Sequence, residues 1–372
     1  MATDSGFSRA RKALVTHGCH GGRDHSEMGH LSLARILAAT LDLDYAGRVE
    51  DSVGAGSLYH FPRRTLCGRD EVERLRVTGE DDLFGGWVAE PFMATKAIVH
   101  PLVSDRAEAP PSWLPAFPRD VEGVVLDGLT VFNAADAQEA GRRLLARGPV
   151  RLKPVRAEGA RGQVVVHSRE EFGQALAAVL AFHDVRHGLV LEENLSDVDT
   201  ASVGEVRAAG LTVAYFGIQS LTQDNAGETV YGGSSLYVVR GGMAALLDHP
   251  LDEKARRCVE VARVFDRAAD AHLGGFFASR RNYDIAFGTA ADGNEQLAVL
   301  EQSWRAGGAT GAEIAALALF RADPRVFAVR ARTVECYGDA HVPDGAAVHY
   351  RGDDPELGRL AKYTIVDDVI RS

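Results

Sequence analysis

Cysteine is scarce in this chain and widely scattered. Its four cysteines, Cys19, Cys67, Cys258 and Cys336, form no CxxC pair in 372 residues. That excludes a disulfide framework and points to a reduced, cytoplasmic protein. A positive surplus is missing too. The net charge of −11 argues against a non-specific nucleic-acid binder, which needs a basic footprint. No apolar run is long enough to span a bilayer, so no membrane association is expected. The first residues, MATDSGFSRARKALV, lack the apolar core and small-residue cleavage site of a secretory signal. There is no internal repeat and no low-complexity tail. What remains is ordinary globular sequence, 46% hydrophobic and 25% charged, long enough for two or three domains.

Lys12 to Thr16 reads as a first buried strand, followed by a polar turn over 17–24. Ser26 is placed to cap a helix from Glu27 to Leu41, whose apolar face holds Leu31, Ala34, Leu37 and Leu41. Together they make a βα unit of the doubly wound kind. Asp70 is placed to cap a short helix through Arg76. Residues 85–103 are apolar and carry Lys96. Residues 104–119 hold Pro110, Pro111, Pro115 and Pro118 and read as a linker.

A second unit opens with a helix capped by Asn133, then a strand delivering Lys153. Pro154 ends the ladder because it has no N–H to donate. Gly159, Arg161 and Gly162 follow, before the strand Val164–Val166. Strand, lysine and glycine-rich loop suit a polyphosphate, although a basic hairpin reads the same in isolation. Ser168 and Glu171 have capping-box spacing ahead of a helix to about His183, and Leu189–Leu191 is the next strand. Residues 201–240 form an antiparallel meander interrupted at 224–227 and at Tyr231-Gly232-Gly233. Glu253 to Ala271 is an amphipathic helix, and Gly311 to Phe320 another.

Four polar clusters interrupt this scaffold. Glu192, Glu193, Leu195, Asp197 and Asp199 follow a strand, where they suit an adenine edge and a ribose or, equally, a solvated acidic turn. Asp284 lies in one apolar strand and Glu301 ends another. With the two strands paired around the turn at 291–294, the two carboxylates face one another across the ladder. Opposed acids repel without a cation between them, and hard oxygen ligands suit Mg²⁺. The fourth cluster, Trp304-Arg305-Ala306-Gly307-Gly308, precedes a helix start and suits a carboxylate or phosphate.

Taken in order, Lys96, Lys153-Pro154 with its glycine loop, Glu192-Glu193, Asp199, Asp284 and Glu301-x-Ser303-x-Arg305-x-Gly307-Gly308 resemble the ATP-grasp superfamily, over roughly residues 96–322. Within it the chain looks like an uncharacterised bacterial branch. The resemblance implies an ATP-grasp fold, of mixed α/β and α+β class. An N-terminal doubly wound α/β domain would occupy 1–118, a small lobe 119–195 and a large lobe 196–325, with a C-terminal extension over 326–372. It further implies ATP held by Lys96, Lys153, Gly159, Arg161, Gly162, Glu192, Glu193, Leu195 and Asp199. Mg²⁺, or Mn²⁺ in its stead, would be held by Asp284, Glu301 and Ser303, with Arg305 and Lys153 as catalytic cations. The implied activity is a ligase joining a small-molecule carboxylate, activated as an acyl phosphate, to an amine or thiol. A homodimer is compatible with it. Ser303 stands where the family has asparagine, and this favours the alternative: a nucleotide-binding protein that keeps the fold, has impaired turnover and acts in regulation or assembly.

The turn at 17–30 holds His17, His20, Arg23, His25 and His30. It follows the first strand of a βα unit, where α/β proteins bind ligands, and is read as substrate-binding together with Tyr231, Gly307 and Gly308. A metal site or a satisfied polar turn remain open readings, because the histidine spacing selects no ligand set.

Overall fold

Strand β1 (Ala13–His17) is the centre of the N-terminal sheet, pairing in parallel with both β2 (Asp44–Arg48) and β3 (Leu58–Pro62). The computed structural model describes residues 12–19, 24–51, 57–156 and 162–372. His20, Arg23, Gly159 and Arg161 therefore lie outside the described residues. Helix α1 (His25–Leu41) crosses between β1 and β2 as expected, but its cap is Asp24 rather than Ser26. The Asp24 carboxylate accepts from the N–H groups of Ser26 and Glu27, at 3.0 and 2.9 Å. A charged acceptor at the positive end of the helix is the better partner for both. Strand β4 (Leu66–Cys67) leads to α2 (Arg69–Leu75). Gly68 stands at the α2 N-cap, so Asp70 lies in the first turn and caps nothing.

Residues 104–119 are not a free linker. Trp113 packs against Phe92 and Phe132, each 5.6 Å between ring centroids. Strand β5 (Gly86–Val88) precedes this stretch, and α3 (Ala116–Asp120) closes it with Phe117 fully buried against Phe265. Aromatic side chains override the proline texture here, since each removes a large apolar area from water.

The small lobe is β6 (Gly128–Val131), α4 (Ala134–Leu144), β7 (Val150–Pro154), β8 (Val164–Val166), α5 (Arg169–Phe182) and β9 (Leu189–Glu193). Its sheet runs β6-β9-β7-β8 and is antiparallel throughout. Asn133 and Ser168 cap α4 and α5 as their sequence positions predict, accepting from Asp136 and Glu171.

The large sheet takes in β10 (Ser196–Ala208), β11 (Leu211–Gln223) and β12 (Thr229–Arg240). After α6 (Glu253–His272) and the short β13 (Phe277–Ala278) it continues with β14 (Arg280–Thr289) and β15 (Glu295–Ser303). Helix α7 (Thr310–Ala322) precedes β16 (Val326–Tyr337), β17 (Ala347–Asp354) and β18 (Gly358–Arg371). The order is β15-β14-β10-β11-β12-β16-β18-β17. Residues 326–372, expected as an extension, supply strands of this same sheet, with β16 paired directly to β12. Both faces are covered, which explains the unbroken apolar run Leu236–Val239. Tyr237 and Val239 pack with α6, whereas Leu236 and Val238 pack with α7. Meanwhile β13 pairs with β5, and β5 with β4, which ties the N-terminal half to the large sheet. No helix among the described residues is long and apolar enough to cross a membrane.

Tyr231-Gly232-Gly233 lies within β12, not in a turn, with Gly232 bulged out of the ladder opposite Ser220 and Leu221. Gly233 has φ +137°, and a Cβ there would meet the Thr333 carbonyl oxygen at 2.1 Å. Gly233→Ala is expected to cost about 3 kcal/mol, from backbone strain and steric overlap together. Urea denaturation reads this directly, and a loss under about 1 kcal/mol would contradict the close approach.

Candidate functional site

The hairpin between β14 and β15 sets the register of the site. Asp284 is the ladder partner of Glu301, as expected, and Asn282 is the partner of Ser303. Alternation places these four side chains on one face of the sheet. Asp284 Oδ1 accepts from Ser202 Oγ, Gln219 Nε2 and Asn282 Nδ2, at 3.0, 2.9 and 3.1 Å. Burial and the nearby Glu301 charge raise its pKa above the usual carboxylate value. Lys96 Nζ lies 2.8 Å from Glu301 Oε2, with the lysine side chain only 4% exposed.

A second cluster lies at the small lobe. Lys153 Nζ donates to Glu192 Oε1 at 2.9 Å, and His100 Nε2 is 3.1 Å from Glu192 Oε2, all three side chains being buried. Burial pushes the Glu192 carboxyl up, but the Lys153 ammonium and the His100 contact outweigh it and bring it to about 2. Residues 91–100 join the two clusters. Lys96 and His100, four apart on one short turn, reach Glu301 and Glu192 respectively. Gln302 Nε2 clamps the same segment through the Met93 and Thr95 carbonyls, at 3.0 and 2.8 Å. At the lobe junction, Glu193 is tied to Asp127 and Leu195 is buried with Leu126, Ala286 and Ala298. Gly162, at φ +69°, ends the part of the glycine loop outside the described residues. Asp199 is not brought to this face. It is exposed, opposite Phe287 in the ladder, and pairs with Lys254 of α6 at 3.1 Å. The odd spacing from Ser202 turns it to the opposite side of β10.

Beneath the Arg305 loop is a buried ion pair that the sequence did not advertise. Arg280 Nη2 donates to Glu313 Oε1 at 2.7 Å, while Nη1 donates to the carbonyls of Ser303 and Arg305, at 3.0 and 2.6 Å. Tyr215 OH lies 2.8 Å from Asn282 Oδ1 and 2.7 Å from Glu313 Oε1. His100, Ser202, Gln219, Arg280, Asn282 and Glu313 were all missed. The only signal was a charged residue inside an apolar helix pattern, Ala312-Glu313-Ile314, and three polar residues opening β14.

Arg305, Gly307 and Gly308 line a cavity of about 630 Å³ together with His17, His25 and His30. Tyr231 sits against Gly308, with its hydroxyl 2.6 Å from Ser234 Oγ. Burial lowers His17, His30 and also His349, on the opposite wall, to about 4, so all three are neutral at pH 7. His17 Nε2 is 2.7 Å from His60 Nδ1. Among the described residues no group of three or more His, Cys, Asp or Glu side chains is placed to hold a metal ion. The two opposed carboxylates suit a cation that draws its other ligands from phosphates and water, as Mg²⁺ does.

A family described as "Protein of unknown function (DUF3182)" matches residues 15–364. No curated protein matches the sequence. Among solved structures, N5-carboxyaminoimidazole synthetase from Staphylococcus aureus, complexed with ADP, is similar over 97% of this chain and 94% of that one. The identity is 10% and the TM-score 0.57. Phosphoribosylamine–glycine ligase from Thermotoga maritima is similar over 95% and 91%, at 11% identity and a TM-score of 0.50. An ADP complex of N5-carboxyaminoimidazole ribonucleotide synthetase is 15% identical, and the match spans 65% of its chain, with a TM-score of 0.41. The architecture is the ATP-grasp fold.

Proposed function

The chain belongs to the DUF3182 family, and from its fold and its paired carboxylates we propose an ATP- and Mg²⁺-dependent ligase that activates a small-molecule carboxylate for attack by an amine or thiol. One observation carries this reading: Asp284 and Glu301 are opposed in the ladder, one half-buried and one answered by Lys96. Such a pair is costly without a cation. Asp284, Glu301 and Ser303 would hold Mg²⁺, or Mn²⁺ with the same taste for oxygen. When bound, the metal would neutralise phosphate charge.

Lys96 and Lys153 would each exchange a carboxylate partner for phosphate oxygens. Glu192 positions the Lys153 ammonium, His100 steadies Glu192, and Glu193 and Leu195 would flank the adenine. The S. aureus structure of the same fold is complexed with ADP, which supports a nucleotide ligand. The substrate carboxylate oxygen attacks the γ-phosphorus as the bond to ADP breaks, giving an acyl phosphate. The amine or thiol then attacks the carbonyl carbon and phosphate departs. Arg305 and the start of α7 stabilise the charge of that leaving phosphate.

Ser303 favours the second reading, a nucleotide-binding protein without turnover, because Arg280 Nη1 already lies 3.3 Å from its hydroxyl. The test is ADP release from Mg-ATP with pooled carboxylates and amines. Activity is expected in the wild type and a drop of about 10²-fold in Lys153→Met. Tight Mg-ATP binding with no ADP release from any pool would instead support the binding protein.

A further inference from the structure

The cavity beside Arg305 carries charge of the opposite sign to the protein around it. The chain has a net charge of −11, yet Arg63, Arg64, Arg74, Arg305 and Lys362 line this cavity. Against them stand Glu50, Glu71 and Glu335 in the same lining and Glu27, 3.6 Å from Arg63, which leaves a surplus of one cation among the described residues. A cationic concavity in an acidic protein concentrates anions.

Two helices also begin here. His25 and Ser26 open α1, and Gly307, Gly308 and Gly311 flank the start of α7. Ala309 at the α7 N-cap has no side-chain oxygen, and no side chain caps that end. The α7 end therefore turns the positive end of its dipole to this space, whereas the α1 N–H groups are already taken by Asp24 and Asp354. Moreover, the Nδ1 atoms of His25 and His349, both lining residues, are buried without a hydrogen-bond partner among the described residues. Each of these Nδ1 atoms is a donor or an acceptor according to the tautomer of its ring. Finally, about 630 Å³ exceeds what a lone carboxylate fills and matches a whole metabolite.

We infer that the substrate activated at this site is a small-molecule dianion. Besides the carboxylate presented to ATP near Arg305, it carries a second anionic group, a phosphate monoester or another carboxylate, held at the Arg63–Arg64–Arg74 end. The C-terminal strands then have a role in specificity, since β17 and β18 supply His349 and Lys362 to the wall. The identity of the reacting carboxylate rests on the ligase reading; the anion pocket does not.

The test is calorimetric titration of the full chain, its nucleotide site filled with Mg²⁺ and AMP-PNP, with acetate, succinate and 3-phosphoglycerate as probes. Succinate or 3-phosphoglycerate is expected to bind at least about tenfold tighter than acetate. Tighter binding of 3-phosphoglycerate assigns the second group as phosphate, and tighter succinate as carboxylate. The double variant Arg64→Ala/Arg74→Ala is expected to lose at least about tenfold in dianion affinity and nothing in acetate affinity. Both residues are exposed, so the variant should keep its fold, which a melting curve checks. Dianions binding no tighter than acetate, or binding the variant as well as the wild type, overturn the inference. Failure of AMP-PNP to bind counts against the ligase reading alone, and the same titration without nucleotide still decides the anion pocket.

Discussion

Asparagine in place of Asp284 is expected to abolish Mg²⁺-dependent ADP release, by about 10³-fold, and yet to raise the stability of the nucleotide-free protein at pH 7. Both effects come from one carboxylate. Its Oδ1 accepts three hydrogen bonds, from Ser202, Gln219 and Asn282, which an amide oxygen can also accept. What the substitution removes is a half-buried charge facing Glu301. Burial and that neighbour raise the folded-state pKa of Asp284. For an acid shifted upward, the contribution to stability is present below the unfolded value, near 3.8. It is lost as pH rises through the higher folded value. The wild type should therefore weaken relative to Asp284→Asn between pH 4 and pH 7, and the two should converge below pH 4. Urea titrations at both pH values measure this. Mg-ATP should raise the melting temperature of the wild type and leave that of the variant unmoved. A variant that still turns over, or is less stable at pH 7, would remove the basis for the metal site.

Glu313→Gln is expected to cost about 3–5 kcal/mol, the largest stability loss foreseen for a single isosteric change. Arg280 and Glu313 are each 1% exposed. Burial opposes the Arg280 charge, but Glu313 more than compensates and holds the pKa of the guanidinium above its ordinary value. Neutralising Glu313 leaves a buried cation without its counter-ion. Arg280 also grips the Ser303 and Arg305 carbonyls, so ADP release should fall along with stability. Arg280→Met/Glu313→Leu should recover much of the stability, because replacing both charges with apolar groups avoids the desolvation cost. It should not recover activity. Chemical denaturation of the single and double variants decides the matter, and a loss under about 1 kcal/mol for Glu313→Gln would mean the pair is hydrated.

Local signals were legible where local physics fixes them. Asn133 and Ser168 cap the helices predicted for them because one oxygen acceptor beside a free N–H is a short-range matter. The turn at 291–294 brought Asp284 to within one residue of Glu301, and a bulge at Leu300 completes the pairing. Ser26 and Asp70 misled as caps, one displaced by a neighbouring carboxylate and the other two residues past the cap position. The proline-rich stretch at 104–119 misled as well, because nothing local says that Trp113 and Phe117 will find aromatic partners more distant in sequence.

The order of lysines, acids and glycines was enough for the resemblance to the ATP-grasp superfamily, and period-two patterning for the two strands that carry Asp284 and Glu301. Tertiary structure alone decided that Lys96 and His100 link the two clusters, that Arg280 and Glu313 brace the Arg305 loop, and that Asp199 turns away. It also decided that residues 326–372 complete the large sheet and wall a cationic cavity. Patterning records which face of an element is apolar. Which distant charges meet depends on how those faces pack, and charges interact through space whatever their separation along the chain.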